Sequence, residues 1–286
     1  MFVRSPHFIV GSALVALVVG FVPLYLFRSF ILTERPPIFI TQDTLPVPAA
    51  GFKLPPINNT AFKAGEKLHY DIIFKGLTVG HATIEITNGP MVNGRPTLKY
   101  TSKAESTHFF DLFFKVRDEN TSTVDKASLF SLSFDQNLSE GHYRALRRYD
   151  FDYLHKKFTT EEKREGKIKK SVGTLQAPLF DVLSVMYFAR TIPLSPGRDI
   201  VLSIYRDKAG KPLPIRIGSS LKTKKTPFGT FSCLRVEPLL QGDSIFKSKE
   251  GGLVVWITND EKKLPILMEA NSTVGLIRVK LMKWEN

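Results

Sequence analysis

The side chains that could do chemistry are scattered along the chain. Six histidines stand at His7, His69, His81, His108, His142 and His155. No two share the His-x-x-x-His spacing that would turn both toward one metal ion from a helix. His69 and His81 could meet across paired strands, and solvent-facing strand positions are the plainer reading. The single cysteine, Cys233, excludes a disulfide within the chain. Its setting, TFSCLRV, reads as a strand, where a small thiol serves as a buried hydrophobe. The segment VRDEN (116–120) sets Arg117 beside Asp118 and Glu119. A working carboxylate pair needs two different environments at one site. Neighbours on a strand point to opposite faces, so these two are expected to act apart. Ion pairing across strands is the expected role of Arg117 or Asp118. The nucleophile elbow, the phosphate-binding loop and the dinucleotide fingerprint have no counterpart in the sequence. Serine, histidine and aspartate all occur, without a spacing that groups them. The expectation is a non-enzymatic protein with no cofactor and no metal.

Binding chemistry is better represented. There are 22 phenylalanines, and FFDLFF (109–114) is the densest aromatic run. Core packing is one use for such a run. The functional use is the wall or mouth of an apolar ligand cavity in an incompletely closed barrel. On that reading Phe74, Phe109, Phe110, Phe113, Phe114, Phe134 and Trp256 line it. The formal charge is +13, from 40 Lys and Arg against 27 Asp and Glu. Such an excess suits anionic partners, against the alternative of a solvated basic surface. Residues 142–170 carry much of it, and Arg144, Arg147 and Arg148 are the candidates for meeting an anionic headgroup. KTKK (222–225) is a second basic run. A nucleic-acid reading would use Tyr143, Tyr149, Phe151 and Tyr153 as stacking platforms on a basic sheet.

The elements that would position these groups begin with Phe8–Phe27, FIVGSALVALVVGFVPLYLF, which has no charged residue. It is long enough to span a bilayer as a helix. Its length and the lack of an A-x-A-like site favour an uncleaved anchor, the alternative being a signal peptide. The expected arrangement is a single-pass inner-membrane protein, with residues 1–32 as anchor and the bulk of the chain periplasmic. Nucleic acid is then out of reach, and lipid headgroups become the better anionic partner. Residues 33–61 hold six prolines and read as an extended linker.

Residues 62–286 form the domain. GLTVGHATIEI alternates, with Ala82, Ile84 and Ile86 on one face and Thr83, Glu85 and Thr87 on the other. Ile277, Val279 and Leu281 repeat the pattern near the end of the chain. Further strands are expected at 96–106, 113–124, 129–138, 142–151 and 153–159, and six more follow residue 198. One helix is expected, at 179–190, LFDVLSVMYFAR. Many strands joined by short turns imply a mainly β fold, an antiparallel sheet curved into a half-barrel or packed as a sandwich.

From residue 62 onward several words occur in an order that resembles the DUF3108 family of bacterial envelope proteins. They are FKAGEKLHYDIIFKGLTVGHATIEI, FFKVRD, FDVLSVMYFAR, TPFGTFSCLRVEP and IFKSKEGGLVVWITNDEKKLPILMEA. The resemblance implies an exported β domain with no established activity and no catalytic residues to carry over. It also implies a likeness in kind to half-barrels that carry lipids or lipoproteins in the periplasm. The partners expected are therefore the membrane, a lipid or lipopolysaccharide-like ligand in an apolar groove, or a protein of an envelope complex for which this domain is the scaffold.

Overall fold

The computed structural model of the chain describes residues 38–39, 52, 54–206, 209–239, 252–272 and 275–286. The expected anchor, Phe8–Phe27, lies outside them. Among the described residues no helix is long and apolar enough to cross a membrane. Strands β1 (Ile38–Phe39), β2 (Lys67–Phe74), β3 (Leu77–Asn88) and β4 (Thr97–Ser106) lead to one helical turn, α1 (His108–Asp111). Then come β5 (Arg117–Asp125), β6 (Ser131–Glu140), β7 (Tyr143–Asp152), β8 (Lys157–Arg164), β9 (Lys167–Thr174) and helix α2 (Val182–Ala189). The rest is β10 (Ile200–Arg206), β11 (Ala209–Ile217), β12 (Lys222–Thr226), β13 (Gly229–Pro238), β14 (Leu253–Thr258), β15 (Pro265–Ser272) and β16 (Gly275–Glu285).

All these strands belong to one sheet, in the order β1, β10, β11, β13, β14, β15, β16, β2, β3 and on in sequence to β9, with β12 branching from β13. Pairing is antiparallel except where β1 joins β10. The path has two free ends, so the sheet is open. It curls into one barrel-like wall rather than splitting into a sandwich.

Period-two alternation selects the inner face. Leu68, Tyr70 and Ile72 of β2, Ile84 and Ile86 of β3, and Ile277, Val279 and Leu281 of β16 are at most 2% exposed and share one core. The two ends of the sheet meet through side chains instead of a hydrogen-bonded ladder. Tyr205 of β10 stands edge-on to Tyr149, Phe151 and Phe158 of β7 and β8, at 5.6, 5.1 and 5.2 Å. Between them, Leu179 O accepts from Ser131 N at 3.1 Å and Phe180 O from Tyr205 N at 2.8 Å.

Helix α2 fills part of the interior. Its cap, Asp181, accepts from Leu183 N and Ser184 N, and from the hydroxyls of Ser122 and Ser131 at 2.5 and 2.6 Å. Leu183 and Tyr187 point into the core, with Tyr187 stacked on Tyr100 at 4.4 Å. Just past the helix, buried Arg190 grips the Glu66 carboxylate at 2.6 and 2.9 Å and donates to Lys262 O at 3.0 Å. The expected helix at 179–190 is thus shorter at its start, because Leu179 and Phe180 are held extended by the seam they bridge.

Candidate functional site

Among the described residues, the most exposed apolar group on the sheet's rim is the turn between β4 and β5. Thr107 N donates to Val79 O at 3.0 Å, which docks the turn on β3. Asp111 N, Phe113 N and Phe114 N then close on Thr107 and Phe110 carbonyls at 2.8–2.9 Å. The base is clipped by side chains. Arg117 donates to both oxygens of Asp111 at 3.0 and 2.6 Å, and the Ser106 hydroxyl adds 2.5 Å. The paired guanidinium and the Ser106 hydroxyl hold the Asp111 carboxyl down at about 2.

This frame sorts the five apolar side chains of 109–114. Phe110 and Phe114 tuck against the core. Phe109, Leu112 and Phe113 project into solvent at 64, 79 and 73% exposure. Phe109, Phe110 and Phe113 form an aromatic cluster with ring centres 5.6–6.3 Å apart. Phe114 lies over Gly141 of the β6–β7 turn. That glycine has φ +54, and a Cβ there would sit 2.7 Å from the Phe114 ring. Lys75, His108, Lys115, His142 and Arg144, all exposed, surround the apex at this end of the sheet.

The other expected liners lie elsewhere. Phe74 is half-buried at the end of β2 with Lys75 over its ring. Phe134 is buried on β6 and stacked on Tyr149 at 5.9 Å. Trp256 is buried under Lys224, whose Nζ is 3.7 Å from its ring, and its indole donates to Glu269 at 2.9 Å. Hence four of the seven residues are brought together, as an apex rather than a groove. Two open depressions, of about 400 and 380 Å³, lie on the sheet. Charged side chains such as Glu119, Asp135, Arg148 and Lys103 line them, so neither is an apolar groove.

The three candidate arginines divide between faces by alternation. Arg147 points inward, bonded to Glu162 at 3.1 Å and the Tyr143 hydroxyl at 2.7 Å. Arg148 points outward, beside Asp150 at 3.2 Å and Asp135 at 3.8 Å. Exposed Arg144 donates to its neighbours' carbonyls. Two of the histidines face carboxylates across paired strands: His69 meets Glu285 at 2.7 Å and His81 meets Asp71 at 2.9 Å. Cys233 is fully buried, and burial pushes its thiol up to about 11. Among the described residues no three His, Cys, Asp or Glu side chains are placed to hold a metal ion.

Sequence reasoning missed a buried polar row on the inner face. Strand register aligns Ser102, Asn120, Gln136 and Arg147 across β4 to β7. Beside it Asp118 and Glu140 are buried at 3 and 6% exposure. The signal was present in the alternation of β5, RDENTSTVD, which places Asp118, Asn120 and Ser122 on the face that Val124 buries.

An open, curled antiparallel sheet with a helix inside it defines a barrel-like β domain. The chain matches the family described as "Protein of unknown function (DUF3108)" over residues 69–282, and it belongs to that family. It is similar in shape to a beta-barrel-like protein of the domain of unknown function DUF1849 from Brucella abortus. That likeness has 9% identity, covers 78% of this chain and 97% of the other, and has a TM-score of 0.47. A Bacteroides fragilis protein with a YmcC-like fold is 12% identical, with 83% and 100% covered and a TM-score of 0.28. No curated protein matches the chain.

Proposed function

We propose that this is a non-enzymatic envelope protein, held at the inner membrane by Phe8–Phe27, whose periplasmic domain engages an apolar or lipid partner through the α1 apex. The observation that carries the reading is the exposure of Phe109, Leu112 and Phe113 on a turn that side-chain bonds hold rigid. Burying each such side chain in an apolar phase is worth roughly 1.5–3 kcal/mol. The basic rim adds attraction to an anionic lipid surface, about 1 kcal/mol per Lys or Arg close to it. An aromatic tip with a cationic collar suits the boundary between headgroups and acyl chains.

The test places a tryptophan at the apex of the full chain reconstituted in vesicles. Quenching by brominated lipid is expected to rise in Leu112→Trp over the background of Trp256 and Trp284. Met91→Trp, on the β3–β4 turn at the opposite end of the sheet, is expected to stay at background. Equal quenching of Leu112→Trp and the native chain would overturn the reading.

A second reading, a scaffold module of an envelope complex, is favoured by β9. It ends the sheet, and Ile168 and Val172 are 57 and 62% exposed on it. A partner strand could add to that edge, with Lys167, Lys169 and Lys170 selecting an acidic one. On this reading, reversing Lys169 and Lys170 to glutamate removes a crosslinked partner in cells and leaves apex quenching unchanged.

A further inference from the structure

Four turns stand side by side at the rim that α1 crowns, and strand register fixes their levels. Gly80 pairs with Ser106, Val116 bridges to Glu140, Glu140 pairs with Tyr143, and Ala145 pairs with Arg164. The β6–β7 turn (141–142) and the β8–β9 turn (165–166) therefore end close to the level of Ser106. The β2–β3 hairpin runs past that level by Leu77, Thr78 and Val79. Three residues of strand amount to about 10 Å. Lys75 and Gly76 turn this hairpin at φ +48 and +83, and Leu77 is left 61% exposed. Val79 O, which holds Thr107 N at 3.0 Å, ties the projection to α1. The high part of the rim thus carries exposed Leu77, Phe109, Leu112 and Phe113. Its carboxylates, Glu105 and Asp111, both face Arg117. Lys75 and Lys115 flank it on stems long enough to reach back to a lower level. The low part carries Arg144, Arg164 and Lys167, all exposed, with Glu165 among them.

An interfacial segment buries its apolar face about 5–10 Å into the boundary of headgroups and acyl chains. An apolar step standing about 10 Å above a cationic one has the same layering, and suits a layered partner better than a flat one. We propose that this stepped rim is a docking surface for a bilayer bearing anionic phospholipid: Leu77 enters the acyl boundary as a second prong beside the α1 apex, while Arg144, Arg164 and Lys167 rest on phosphate headgroups. The inference deepens the proposed function above and rests on it. It also reassigns the headgroup contacts. Arg147 is held by Glu162, and Arg148 by Asp150 and Asp135. Arg164 and Lys167 reach the rim on either side of the β8–β9 turn instead. The turns are apolar from β2 to β5 and cationic from β6 to β9, so the β2 side of the domain sits deeper than the β9 side.

Tryptophan quenching on the full chain in vesicles tests the rim, with acyl-brominated lipid as the probe. When anionic phospholipid is included, Leu77→Trp is expected to be quenched above the background of Trp256 and Trp284, alongside Leu112→Trp. Added to Leu77→Trp, Arg164→Gln and Lys167→Gln are each expected to lower the ratio of docked to undocked chain about fivefold in these vesicles. In vesicles of zwitterionic phospholipid alone they are expected to change nothing. Raised salt is expected to act as the two substitutions do. All three side chains are exposed, so native melting temperatures are expected of every variant. Leu112→Trp quenched with Leu77→Trp at background overturns the second prong. Quenching indifferent to both substitutions and to the anionic lipid overturns the headgroup contacts. Both tryptophans at background, the result a protein-binding rim would give in protein-free vesicles, overturns the lipid reading itself.

Discussion

Asp118 titrates in the opposite sense from an ion-paired carboxylate. Burial lifts it to about 6, whereas an unfolded chain leaves aspartate near about 3.9. The folded state holds the proton more tightly, so this contribution to stability is complete below about pH 4 and is lost as pH rises through about 6. Two pK units correspond to about 3 kcal/mol at most. Asp118→Asn carries no titrating group, so its melting temperature is expected to match or exceed the native value at about pH 7.5 and to vary less from about pH 5 upward. Arg190 and Glu66 are a different case. Both are at most 2% exposed and they are 124 residues apart. Arg190→Met leaves the Glu66 carboxylate buried without its cation, which is expected to cost about 3–5 kcal/mol in urea unfolding. Pairing it with Glu66→Gln is expected to restore much of that loss. The opposite facing of Asp118 and Glu119 could be read from alternation alone. That two charges so far apart in sequence share one buried site could not, because periodicity names faces and never partners across the fold.

At the scale of elements, the long strands were legible where one face is apolar. Those expected at 96–106 and 142–151 occur at Thr97–Ser106 and Tyr143–Asp152. β9 was not read as a strand, since KIKKSVGT has no buried face to create alternation. The apex was legible as an aromatic concentration and not as a helical turn. Its form depends on Arg117 and Ser106, which lie outside the aromatic run. Gly141 shows how far the apex depends on its neighbours. Gly141→Ala would place a methyl group against Phe114 at a left-handed backbone position, at a cost of roughly 1–3 kcal/mol. Exchange at 107–116 is expected to quicken more than at any strand of the β2–β3 hairpin. A uniform change across the chain would show that the glycine serves the whole sheet instead.

For the whole molecule, the fold class followed from strands and short turns, but strand order did not. Only the registers show that β16 pairs with β2 and that the far ends of the sheet meet through rings. Phe180 lies in that seam, 2% exposed and stacked on Phe130 and Phe188 at 4.6 and 4.4 Å. Phe180→Ala is expected to cost about 3–5 kcal/mol and to expose the rings around Tyr205, seen as a gain in binding of a hydrophobic dye before the main unfolding transition. The sheet also has two unlike ends. Phe52 and residues 54–66 pack beside Tyr153, Ala127 and Arg190, at the end where β2 begins, and α1 crowns the end where β2 stops. The ten residues of β4 set these ends about 33 Å apart. A partner seated on the aromatic tip therefore stands about one strand length from the end where residues 54–66 pack, so the two ends of the wall can be occupied at once.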